Sequence, residues 1–164
     1  MNNNVNQYVN QKKQIQNGED FCGAASVSMI TGEDPQIVAN AVGPTAPDNV
    51  LINYLNQKGY ETELIIDGGS EATGWGFVPS FDNFDKMKEV ITSGKAILYH
   101  FAGWDHKSSG HYTICKGYED ANFIFNDPAG NRDQGYFNDN GEDAVYSMDT
   151  LKKAAIKRLF SVTI

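Results

Sequence analysis

Three residues of this chain have the types, and stand in the kind of local sequence, that thiol-dependent hydrolysis requires. They are Cys22 in QNGEDFCGAASVSMI (16–30), His111 in GHYTICKGY (110–118) and Asp127 in FIFNDPAG (123–130). Such chemistry needs a sulfur nucleophile, an imidazole to take its proton, and an acceptor that holds the imidazole in one tautomer. Gln16, six residues before Cys22, adds a side-chain amide able to stabilise an oxyanion.

Each candidate has a plainer reading beside it. Cys22 precedes a run of small apolar residues that reads as a helix. There the positive end of the helix dipole would stabilise a thiolate, and Gly23 would keep the approach to sulfur open. The plain alternative is a small core residue. His111 opens an apolar, β-rich run after a small turn, which puts it at the mouth of a sheet. His100, within a strand, and His106, in a loop, lack that setting. Asp127 ends the run 123–126 ahead of Pro128, where a turn aspartate is common. A hairpin between 111–118 and 122–126 would return Asp127 to the His111 end. Asn126 could take the same role, but alternation along a strand lets only one of the two face His111. Gln14 shares a face with Gln16 if that segment is extended, and Gln16 is nearer the nucleophile.

The elements that would position these groups follow from the sequence pattern. Residues 1–13 are Asn- and Gln-rich and read as a solvated lead-in, with at most a short strand over 5–9. A buried helix is expected over 22–31, with Asp20 as its cap and Gly32 as its stop. Further helices are expected over 35–42, with proline in its first turn, over 48–58 with Asp48 as cap, and over 82–92. Strands are expected over 60–66, 96–101, 111–118, 122–126 and 159–164, and a glycine-dense loop over 68–76. Helices thus precede strands, which argues one α+β domain spanning 1–164.

Composition narrows the function classes. The 164 residues carry 13 Lys and Arg against 21 Asp and Glu, for a net charge of -8. That balance repels phosphate backbones, and no basic stretch offsets it, so nucleic acid is not an expected partner. No run approaches the roughly 18 apolar residues of a membrane span. The N-terminus has no signal-peptide pattern, so the expected site of synthesis is the cytoplasm, with any release to the cell wall by another route. Cys22 and Cys115 form no CxxC, and a disulfide between them would consume the nucleophile, so two reduced thiols are expected. No metal or other cofactor is expected: His100, His106, His111 and Cys115 lack zinc-site spacing, and NDNGED (138–143) fails the calcium-loop pattern because Tyr136 falls where an Asp is required.

The segments Gln16, Cys22-Gly23-Ala24-Ala25, Gly110-His111-Tyr112 and Asn126-Asp127-Pro128 resemble the papain-like cysteine peptidases, specifically the C39-like group. FDNFDKMKEVITSGKAILYHF (81–101) resembles that group's helix and strand ahead of the histidine, so the resemblance covers roughly 14–130. It implies a helical half whose central helix carries the cysteine, packed on an antiparallel sheet carrying histidine and aspartate. It further implies peptide or isopeptide hydrolysis through a thioester, with Cys22 attacking, His111 moving the proton, Asp127 orienting His111 and Gln16 polarising the carbonyl. Relatives that trim double-glycine leaders are fused to transporters, a region absent here. Peptidases of this type commonly cut peptidoglycan peptides, so an endolysin-type, cell-wall-degrading enzyme of bacterial or bacteriophage origin is expected. Two other readings stand beside it: a cytosolic protein-processing peptidase or acyl/amide transferase, and a non-catalytic binding or inhibitory module on the same fold.

Overall fold

In a computed structural model the residues 1–68, 76–102, 110–134 and 140–164 are described. His106, all but the ends of the 68–76 loop, and residues 138 and 139 of NDNGED lie outside them. The segment expected to be a solvated lead-in is instead packed into the molecule. Val9 is fully buried, and Asn10 and Gln11 nearly so. Asn10 caps a single helical turn, α1 (Gln11–Gln14), by accepting from the N–H groups of Lys12 and Lys13. The amide side chains that make the segment look soluble have structural work. Gln7 Nε2 donates to the carbonyls of Ser28 and Glu33, and Asn6 Nδ2 to that of Ile30. These carbonyls sit at or beyond the last turn of the next helix, where backbone acceptors lack intrahelical donors.

That helix, α2 (Cys22–Thr31), has the expected bounds and ends at Gly32, which is left-handed (φ 73°) and returns its N–H to the Ser28 carbonyl. Its start departs from expectation. Asp20 lies in a 3-10 turn (Gly18–Asp20), and Phe21 stands at the N-cap with no side-chain cap bond. α3 (Pro35–Val42) follows, with Asp34 accepting from the N–H groups of Gln36 and Ile37. In α4 (Asp48–Gln57), Pro47 is the N-cap and Asp48 is the first helical residue, so the Asp48 carboxylate is free for other partners. α5 (Phe81–Thr92) begins with a reciprocal capping box between Ser80 and Asn83.

Six antiparallel strands among the described residues complete the α+β fold. They are β1 (Thr62–Asp67), β2 (Lys95–Phe101), β3 (His111–Glu119), β4 (Asn122–Asn126), β5 (Ala144–Ser147) and β6 (Ile156–Thr163), in spatial order β1-β6-β2-β3-β4-β5. β5 and the short α6 (Met148–Leu151) are elements that the sequence pattern did not mark. Alternation along the strands feeds two cores. Leu98, Ile114, Phe160 and Val162 pack with Val27, Met29, Leu51 and Leu55 of the helical half. Ile97, Tyr99, Phe101 and Leu159 pack on the other face with Phe84, Met87 and Ile91 of α5. At roughly 1.5–3 kcal/mol for each large apolar side chain buried, these two cores dominate the stability of the layers.

The entry into α2 is tightly built. Gln11 is 3% exposed and donates through Nε2 to the carbonyls of Gly18 and Glu19, at 2.9 and 2.8 Å. A Cβ at Gly18 would lie 1.7 Å from the Gln11 carbonyl oxygen. Gly18→Ala must therefore displace the turn that delivers Cys22. The expected cost is about 2 kcal/mol or more, read as a thermal midpoint lower by roughly 4–8 °C, together with slower alkylation of Cys22.

Candidate active site

Cys22 is the first residue of α2, and no acidic residue occupies the first turn of that helix. The positive end of the dipole is therefore left for the sulfur itself. Gly23 serves a different purpose from the open approach expected of it. It is buried, and a Cβ there would come within 2.8 Å of Leu51 Cδ1. Glycine lets the start of α2 press against α4.

The sheet brings His111 to this point as the first residue of β3. The β3–β4 hairpin pairs Ile114 with Asn126, so the chain beyond Asn126 runs back alongside the start of β3. His111 Nε2 lies 2.8 Å from Asp127 Oδ1. A carboxylate only accepts, so Nε2 carries the proton and Nδ1 is the nitrogen left to exchange a proton with Cys22, whose sulfur and this imidazole shift each other's titration. The ring is held edge-on against Phe101, with centroids 5.5 Å apart. Asn126 points elsewhere and accepts from the N–H of Asp143.

Asp127 is wholly buried. Oδ1 also accepts from the Ala129 N–H at 3.0 Å, and Oδ2 from the Tyr146 hydroxyl at 2.9 Å. Tyr8 donates to the Asp127 backbone carbonyl, and the Asp127 N–H bonds the carbonyl of Gly141. Tyr8 and Tyr146 carry no motif in the sequence; only the packing of residues 119 and 19 positions away shows their relation to Asp127.

The electrostatics follow from this geometry. Burial alone would raise the Cys22 thiol, but the His111 bond and charge, aided by the backbone N–H groups of Tyr112 and Gly23, bring it below its ordinary value. Burial would likewise lower His111; the Asp127 carboxylate first, then the sulfur, instead raise it to about 10. A thiol lowered and an imidazole raised by each other's charge favour a thiolate–imidazolium pair. Cys115 contrasts with this. It is fully buried in the core between the sheet and α5, where desolvation pushes its thiol up.

Tyr112 joins the two halves beside this pair. Its carbonyl accepts from Ser26 Oγ of α2 at 3.2 Å, and its hydroxyl donates to Asp48 Oδ1 of α4 at 2.6 Å. Its ring stacks on His100, with centroids 4.0 Å apart. Asp48 also takes Arg158 Nη1 at 2.9 Å and stands 2.8 Å from His100 Nδ1. His100 thus belongs to the seam between layers. Burial, together with Lys157 and Arg158, lowers it despite Asp48.

The structure does not bring Gln16 to the group. It is exposed, its N–H donates to Gln36 Oε1, and no hydrogen bond joins it to Cys22, His111 or Asp127. The extended arrangement that would align Gln14 with Gln16 is absent too, because Gln14 ends α1 and accepts from the Asn10 N–H. Gln11 is the buried glutamine of this stretch, and its amide is occupied by the Gly18 and Glu19 carbonyls. Among the described residues no three or more His, Cys, Asp or Glu side chains cluster as a metal site would require.

The family model described as the Peptidase_C39 like family matches residues 4–152. The chain belongs to that family. It is a cysteine peptidase with the papain-like arrangement of helical half and antiparallel sheet. Among solved structures, a Bacillus anthracis protein described as a C39-like peptidase is similar over 100% of this chain and 98% of its own, at 9% identity and a TM-score of 0.64. A double glycine motif protease from an AMS/PCAT transporter, solved with its leader peptide, matches over 98% and 95%, at 14% identity and a TM-score of 0.57. The peptidase domain of Streptococcus ComA, a bi-functional ABC transporter, matches over 88% and 91%, at 14% identity and a TM-score of 0.55. At such identities these likenesses establish the fold. A comparison with curated protein sequences found no match.

Two measurements probe the charges of this C39-like peptidase. Iodoacetamide labelling followed by mass spectrometry is expected to modify Cys22 at mildly acidic pH, where an ordinary thiol is protonated, and to leave Cys115 intact until the protein unfolds. Equal, slow labelling of both would remove the thiolate–imidazolium pair. Asp48 is held down to about 2 from an ordinary value of 3.8, because His100, Tyr112 and Arg158 outweigh its burial. A carboxyl lowered on folding contributes stability that is complete above its unfolded value and lost as pH falls through its folded one. Asp48→Asn should therefore lower stability at neutral pH by about 2 kcal/mol and flatten the loss of stability between roughly pH 4 and 2 in urea titrations.

Proposed function

We propose that this peptidase works through a thioester on Cys22, with His111 as proton carrier and Asp127 as the carboxylate that orients it. The observation supporting this is His111 Nε2 on Asp127 Oδ1 at 2.8 Å, while the imidazole and the sulfur at the start of α2 favour each other's charged form. The thiolate attacks the carbonyl carbon of a peptide bond. The tetrahedral adduct collapses as the imidazolium gives its proton to the leaving amine. Neutral His111 then takes a proton from water, hydroxide adds to the thioester, and collapse releases the acid and restores the ion pair. The developing oxyanion falls to backbone N–H groups at the start of α2, which have no carbonyl within the helix to bond.

For the substrate we favour stem or cross-bridge peptides of peptidoglycan, an endolysin-type activity. Family membership supports a peptide substrate, and the net charge of -8 argues against polyanionic ones. One solved relative holds a leader peptide, which makes a small-residue peptide segment the second reading. The two separate in one assay series. Dye-labelled cell walls should release soluble fragments, and mass spectrometry of peptidoglycans with different cross-bridges should show one bond type cut. Cleavage of a protein or leader-type peptide by enzyme that leaves every wall intact would overturn the peptidoglycan assignment. Product formation by aminolysis without hydrolysis would make the protein a transferase.

Cys22→Ala is expected to lower turnover by roughly 10⁴-fold or more while the melting curve changes little. His111→Ala should do the same, and Cys115→Ala should retain activity. Substantial turnover by Cys22→Ala would end the thiol mechanism.

A further inference from the structure

Asp127 is the most demanding group in the molecule. It has no exposure, yet the active-site reading above requires it to stay ionised. One oxygen faces His111 and the Ala129 N–H, and the other would be bare without Tyr146. Tyr146 lies on β5, fully buried, with its ring 5.2 Å from that of Phe125. Its hydroxyl oxygen accepts from the Arg132 N–H at 3.1 Å. Its proton lies within reach of Asp127 Oδ2 at 2.9 Å and of the Gly130 carbonyl at 3.5 Å. The carboxylate is nearer and charged, so it takes the proton.

We infer that Tyr146 is a positioning residue of this active site, whose hydroxyl engages Oδ2 of the buried Asp127 carboxylate and holds it turned so that Oδ1 meets His111. The inference rests on the triad reading. A carboxylate with an unpaired buried oxygen is driven toward other rotamers that find a partner for it. An Asp127 turned away no longer stabilises the imidazolium, and a weaker imidazolium no longer holds the thiolate. The pair would then form at higher pH and be lost at lower pH, a narrower window on both sides.

A second tyrosine supplies the control. Tyr8 also places its hydroxyl on Asp127, but on the backbone carbonyl at 2.9 Å, while accepting from the Gly141 N–H at 2.8 Å. Removing that hydroxyl disturbs the same turn without touching the carboxylate.

The test is the pH profile of Cys22 alkylation by iodoacetamide, followed by mass spectrometry with thermal melts alongside; it requires no substrate. Tyr146→Phe keeps the ring and is expected to move the acidic limb upward by about one pH unit, roughly a tenfold slower reaction at low pH. Tyr8→Phe is expected to lower the melting temperature while leaving the limb in place. In an Asp127→Asn background, Tyr146→Phe should add no further shift, because its route to sulfur has been removed. An unmoved limb in Tyr146→Phe, an equal shift in Tyr8→Phe, or a full additional shift in the Asp127→Asn background would overturn the inference while leaving the triad intact. Should the unmodified protein itself have a Cys22 of ordinary thiol behaviour, the triad reading fails and this inference falls with it.

Discussion

The sulfur and the imidazole belong to different layers of this protein, and they meet because the first turn of α2 is pinned to the first two residues of β3. Tyr112 makes the connection with three different groups. Its N–H points at the Cys22 sulfur, its carbonyl takes Ser26 Oγ one turn further along α2, and its hydroxyl takes the Asp48 carboxylate. Each bond contributes on the order of 1 kcal/mol, more where the carboxylate is involved. Their larger effect is geometric: they fix how α2 sits on β3, while Gly23 lets the start of α2 press against Leu51 of α4. Positional error between nucleophile and base is costly, and a seam with three tethers leaves little room for it.

A second constraint acts on the far side of the imidazole. Among the described residues no arginine or lysine pairs with the buried Asp127; its partners are the His111 imidazolium, the Ala129 N–H and the Tyr146 hydroxyl. Those donors come from β3, from the turn after β4 and from β5. The residues beyond the hairpin are therefore part of the site's support, although none of them carries a recognisable motif.

Much of the helical architecture was legible locally. Periodicity and punctuation gave α2, α3, α4 and α5 to within a residue or two at most ends, because Gly32, Pro35, Gly59 and the Ser80–Asn83 pair act within one turn. The hairpin placing Asp127 near His111 was likewise readable from the two β-rich runs and the short turn between them. The lead-in was not. Its Asn and Gln side chains look like solubility, but they satisfy carbonyls around the end of α2, some twenty or more residues away. The acidic residues misled for a related reason. Asp20 and Asp48 both stand where a cap would be, and the decision between capping and pairing with His100, Tyr112 and Arg158 belongs to the packed sheet.

What the sequence by itself determined is the chemistry on offer: a cysteine at a helix start, a histidine at a strand start, an aspartate at a strand end, and a family pattern joining them. Those are properties of neighbours within a few residues, governed by backbone sterics and side-chain periodicity. Tertiary structure decided which groups share a site. It left Gln16 in solvent, gave His100 to the layer seam, buried Cys115 among apolar rings, and brought Tyr146 to Asp127 across 19 residues of chain. The physical reason is desolvation. Burial sets which charges must be paired and which thiol can ionise, and burial exists only once the layers have closed.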